Sequence, residues 1–157
     1  MQEPLRSYMK VGLVHFMAYP TIKGEGPIVE TLHKIAMDDF FDVVEITWIK
    51  DAAVKEKVKK MLETSHLTVA YGGQPRLLLN GLNLNDLDEA GRQKAVTECK
   101  AGIDEAYEMG AVGFGFLSGK WQESTKEQAF EQLVKSTKEL CAYAKGKGDL
   151  KIVHEIF

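Results

Sequence analysis

Five short runs of β-branched and aromatic residues, separated by stretches with helical periodicity, constrain this 157-residue chain more than any other feature. The runs cover residues 11–16, 42–48, 67–71, 111–117 and 150–156. Each is nearly continuous in hydrophobicity. Strands covered by helices on both faces have this character, whereas a half-solvated sheet alternates apolar and polar residues. Between the runs, Val29, Leu32 and Ala36 repeat at helical spacing behind Pro27, which suits a first helical turn. Val54, Val58, Met61 and Leu62 form a stripe on a Lys/Glu-rich segment that Asp51 can cap. Residues 86–109 predict a long helix with Val96, Ile103 and Ala106 inward and Gly110 as its C-terminal stop. Phe130, Leu133, Val134, Leu140 and Cys141 mark a fourth helix, ending in the Gly/Lys-rich segment 145–149.

Strand and helix thus alternate four times before a fifth strand, which predicts an α/β fold of right-handed βαβ units on a parallel sheet. Each unit takes roughly 35 residues, so eight would need about 280, close to the ~250 of an eight-stranded (β/α) barrel. With 45% apolar residues and no linker or low-complexity segment, the chain has the core of a single domain over residues 1–157. The alternation implies that this domain stops after its fifth strand.

Composition excludes several roles. The longest apolar run, 11–19, is about half of the ~20 residues a membrane helix needs, so no membrane association is expected. No basic segment leading into an apolar stretch opens the chain, so a secretory leader is not expected either. A formal net charge of -3 gives no footprint for nucleic acid. Two cysteines without a Cys-x-x-Cys pair suit reduced thiols in a cytoplasmic protein.

Ligands of parallel α/β folds bind at the carboxyl ends of the strands, so the residues there are the candidates. After the first strand stands His15, either packed and hydrogen-bonded or facing a ligand. The loop beyond it carries Gly24-Glu-Gly26, which matches no nucleotide-binding pattern. Glu45 is a carboxylate inside an apolar strand, costly to bury unless paired. It marks a site or a structural ion pair. Trp48 can be a wall for an apolar sugar face, or core. The third strand runs into Tyr71-Gly-Gly-Gln-Pro75, where Tyr71 and Gln74 can meet a ligand, Arg76 can read a hydroxyl or a phosphate, and turn geometry alone also accounts for the glycines. Trp121 follows the fourth strand, as a substrate contact or an incidental aromatic. The fifth ends in His154-Glu155, neighbours that point to opposite faces of a strand. With Glu155 turned inward, His154 meets the helices.

Met9-Lys-Val-Gly-Leu13, Phe41-Asp-Val-Val-Glu45, Gly91-Arg-Gln-Lys-Ala95, Ile103-Asp-Glu-Ala106, Met109-Gly-Ala111 and Leu150-Lys-Ile-Val-His-Glu155 together resemble the N-terminal portion of the xylose-isomerase-like sugar phosphate isomerase/epimerase superfamily. The resemblance implies a (β/α)8 TIM barrel, of which the chain holds about five strands and four helices. It implies a small sugar or sugar phosphate as substrate, and proton transfer next to a carbonyl. It also implies a divalent metal, manganese first, with magnesium, cobalt or zinc as alternatives. Glu155 matches the first metal ligand of that superfamily and the carboxylate that moves the proton; the later ligands have no counterpart in the chain. Endonuclease-type members carry histidines at earlier strand ends, where this chain has Gly72-Gly73 and Ser118-Gly119. Two other readings stay open: a non-catalytic, five-stranded flavodoxin-like binding module, and a homo-oligomer in which two copies pair as half-barrels.

Overall fold

The computed structural model describes residues 7–155. Its strands are β1 (Gly12–Val14), β2 (Val43–Ile46), β3 (Thr68–Gly72), β4 (Gly113–Leu117) and β5 (Lys151–Glu155). Its helices are α1 (His15–Ala18), α2 (Ile28–Ala36), α3 (Ala52–Thr64), α4 (Gln74–Leu79), α5 (Glu89–Glu108) and α6 (Lys126–Lys145). Residue 156, expected to extend the fifth strand, lies outside the described residues.

All pairings are parallel, and the sheet runs β1-β2-β3-β4-β5 in chain order. A flavodoxin-like sheet would insert its first strand between the second and third. The sequential order overturns that alternative and is the order of a barrel wall.

Local chemistry explains most boundaries. Asp51 caps α3 by accepting from the amides of Ala53 and Val54 at 2.8 and 2.9 Å, and Asp88 caps α5 through the Gly91 amide. Gly110, at φ 67°, then lets the chain leave α5, with its amide on Tyr107 and that of Ala111 on Ala106. Two expectations need correction. The first strand is three residues long, because the chain turns into α1 at His15 rather than running on to residue 16. The Gly-Gly-Gln-Pro segment is not a bare turn but the start of α4, with Pro75 in its first turn, where a missing amide hydrogen costs no helical bond.

Strand alternation divides the sheet into two faces. Val44, Ile46, Val69, Tyr71, Phe114 and Phe116 are buried in one core cluster with Leu32, Val58, Val96, Ile103 and Leu140 from the helices. The opposite face carries Val43, Glu45, Ala70, Gly113 and Gly115, all half-buried, and Val153 and Glu155, both exposed. It forms an open trough. Phe130, expected inward, is exposed at the side of α6.

Candidate functional site

The register sets the floor of the trough. Glu45 pairs with Ala70, Gly72 with Gly115, and Leu117 with Glu155. Side-chain-poor residues therefore lie between two carboxylates. A Cβ built on Gly72 would stand 2.5 Å from both Glu45 Oε1 and Gln74 Oε1, and 2.8 Å from the Phe16 ring. One built on Gly115 would stand 3.3 Å from Gln74 Nε2 and 3.7 Å from Glu155 Oε1. The glycines let Glu45, Gln74 and Glu155 crowd over the sheet. Burial, then the Glu155 charge, hold the Glu45 carboxyl above its ordinary range, while the Gln74 amide works against both. Gln74 is 7% exposed, and its Oε1 has no hydrogen-bond partner. His154, on the other face of β5, stacks on Phe116 with ring centroids 5.1 Å apart.

The other candidates lie elsewhere. Tyr71, expected to meet a ligand, faces the helices at 1% exposure and stacks on Phe114, because alternation along β3 sends its side chain away from the trough. Its hydroxyl accepts from Arg76 Nε at 3.0 Å. Arg76 also pairs with Glu98 at 2.6 Å and with Glu105, which in turn accepts the Ile49 amide at 2.8 Å. Arg76 is thus a buried tie between α4, α5 and the loop after β2, not a reader of hydroxyls or phosphate. Trp48 belongs to the same assembly: the Arg76 guanidinium lies 5.2 Å from its ring, and Gly24 rests against its indole nitrogen so closely that no Cβ could fit. Gly24, at φ 82°, serves this contact rather than a phosphate. His15 takes the packed alternative. It is 1% exposed and its Nε2 lies 2.8 Å from Thr31 Oγ1 on α2.

Trp121 is 53% exposed and walls a cleft of about 570 Å³ with Leu77, Leu78, Leu82, Asn83 and Lys120. The cleft opens at the carboxyl end of β4, beside the trough. Its loop is held by Asn85, whose Nδ2 donates to the carbonyls of Gly119 and Lys120. Asn85 is not among the strand-end candidates of the sequence; the Asn83-Leu-Asn85 run in a loop is the signal that marks it.

Glu45 and Glu155 are hard oxygen donors suited to a divalent cation. Among the described residues, however, no three His, Cys, Asp or Glu side chains assemble into a group that could hold one. The donor set falls short of a metal centre. No helix of the described residues is long and apolar enough to cross a membrane.

No curated protein matches the chain. Solved structures do. A D-tagatose 3-epimerase-like protein matches at TM-score 0.74 and 17% identity, over 93% of this chain and 52% of its own. D-psicose 3-epimerase from Clostridium cellulolyticum H10, solved with D-tagatose, matches at 0.62 and 19%, over 88% and 49%. The IOLI protein with a bound zinc atom matches at 0.70 and 18%, over 94% and 51%. At these identities the likeness is one of fold, and the chain spans about half the length of each. The family model described as xylose isomerase-like TIM barrel matches residues 35–157. Family model and parallel strand order agree: the chain belongs to the xylose isomerase-like TIM barrel family.

Proposed function

We propose that this chain is the front portion of a sugar or sugar-phosphate isomerase/epimerase, acting by proton transfer at a carbon next to a carbonyl. One observation carries the reading: Glu155 ends β5 on the face that also bears Glu45, over a floor of glycine and alanine. A carboxylate in that position can take a proton from a bound carbon acid and return it. Glu45 and Gln74 contact the ligand, and Trp121 offers its exposed ring to an apolar sugar face. His15, Trp48 and Tyr71 support the strand ends from behind. The family's solved relatives, sugar epimerases among them, favour this substrate class.

Glu155 is also one ligand of a divalent cation, manganese first, with magnesium, cobalt or zinc as alternatives; a zinc-bound and a magnesium-bound relative support a cation of this class. When bound, such an ion polarises the carbonyl oxygen. Among the described residues no further His, Cys, Asp or Glu joins it in a group of three. A cytoplasmic location is supported by two unpaired cysteines, Cys99 and Cys141.

The test is exchange of the sugar's α-carbon proton with deuterated solvent, followed by NMR on D-tagatose with the protein encoded by the whole reading frame. Glu155→Gln is expected to slow exchange by about a hundredfold, the lower end of what a positioned acid–base group contributes. Exchange at the wild-type rate would sink the assignment.

We also propose a homo-oligomer in which two copies pair as half-barrels, a reading supported by Val153, half exposed on the trough face. Sedimentation equilibrium is expected to give a multiple of the chain mass, and a monomer at every concentration would refute it.

A further inference from the structure

We propose that Glu45 and Gln74 form a hydroxyl-reading pair over Gly72, accepting one hydroxyl proton from a polyhydroxylated ligand and so selecting which polyol enters the trough. This deepens the isomerase/epimerase reading above and rests on it. The geometry starts from an orphan. Gln74 is more than nine-tenths buried, yet its Oε1 has no donor. An amide oxygen left unpaired in a protein interior keeps the full penalty of its lost hydration. Glu45 Oε1 stands over the same point of the sheet, each oxygen 2.5 Å from where a Gly72 Cβ would be. Two acceptor oxygens, the unpartnered one of Gln74 and one of the Glu45 carboxylate, converge on this point of the sheet. Such a pair is unfavourable alone and favourable around a donor.

The donor's chemistry follows from its surroundings. Ala70, Gly72 and Gly115 present no long side chain on the trough face, so nothing from the sheet reaches up to supply it. A divalent cation would want six or more oxygens, and the described residues gather no three ligating side chains. A neutral hydroxyl needs only an acceptor, and here it finds two. The pair lies over β2 and β3 and Glu155 ends β5, with Gln74 and Glu155 both flanking Gly115, so the pair and Glu155 address one bound polyol together. Gly72 belongs to the device, since any larger residue would push both oxygens apart.

The experiment titrates the chain with D-fructose and its singly deoxygenated analogues in chelator-treated buffer, read by NMR shifts. One analogue is expected to bind wild type on the order of tenfold more weakly than the parent, the worth of one hydrogen bond to a buried group. Gln74→Met and Glu45→Leu, each checked for folding by circular dichroism, should bind parent and that analogue within twofold of each other. Two results overturn the proposal: the wild-type ratio persisting in both variants, or no saturable binding of D-fructose by wild type. Addition of magnesium restoring or abolishing the discrimination would also overturn it, by making the pair a cation site. Glu155 is untouched in these variants, so their failure leaves the exchange experiment to judge the isomerase/epimerase reading independently.

Discussion

Replacement of Arg76 by methionine is expected to destabilise the chain by about 3–5 kcal/mol, the cost of leaving a buried carboxylate without its partner. The guanidinium is the hub of a buried polar network that joins α4, α5 and the loop after β2. Its side chain is 10% exposed, that of Glu105 8%, and the two are hydrogen-bonded directly. Glu98 and the Tyr71 hydroxyl take further donors, and the guanidinium covers the Trp48 ring. Methionine can fill much of the volume but supplies no donor. Glu105 would keep the Ile49 amide and the Tyr71 hydroxyl but no positive charge, and that hydroxyl would lose its Arg76 donor. Removing the carboxylate as well is a different matter. Apolar or neutral replacements of a whole buried pair are often nearly neutral. Arg76→Met with Glu105→Gln is therefore expected to recover at least half of the loss, a coupling that a double-mutant cycle reads directly. Urea unfolding at pH 7 measures both. A loss below about 1 kcal/mol for Arg76→Met would mean that packing, not charge pairing, holds this corner.

The network also shows where the sequence is legible and where it is not. β2, β3 and β4 are readable because Val44, Ile46, Val69, Phe114 and Phe116 occur in short runs too apolar to face water. Glu45 and Glu155 stand out against those runs, and the alternation that turns Glu155 and His154 to opposite faces follows from strand geometry alone. What the sequence hides is register. That Gly72 pairs with Gly115, and so makes room for Glu45 and Gln74, depends on pairings between strands some forty residues apart. The role of Arg76 is hidden for the same reason, since Glu98 and Glu105 reach it from α5. Local chemistry misleads at two places. The glycines before Gln74 look like a turn and conceal α4, and Tyr71 at a strand end looks ligand-facing until its position in the alternation is counted. Phe130 fits a helical stripe, yet it stands exposed on α6 while Leu140 of the same helix is buried.

Acidification from pH 7 to pH 4 is expected to cost on the order of 3 kcal/mol of stability through His15 alone. Its burial where β1 turns into α1 lowers its pKa from 6.5 to about 4, because the charged ring would lose its hydration there. The sign follows from which state binds protons more readily. In the unfolded chain the imidazole takes up a proton near pH 6.5, while in the folded chain it resists until about pH 4. Above 6.5 both states are neutral and the full stability is present. Between 6.5 and 4 the unfolded state gains protons that the folded state refuses, and stability falls. The Thr31 bond does not rescue the charged form. Thr31 gives its own proton to the Pro27 or Ile28 carbonyl, so it already accepts from Nε2 of the neutral ring and gains little when the second nitrogen is protonated. Carboxylates titrate over the same range, so the measurement is a difference. Urea midpoints of wild type and His15→Gln are compared at pH 7, 5.5 and 4. The variant is expected to start less stable at pH 7, having lost the packed ring, and to decline less steeply, so that the two curves converge toward pH 4. Parallel curves would show that His15 does not hold its neutral form in the fold, and with that the tight closure of α2 over the end of β1 would have to be abandoned.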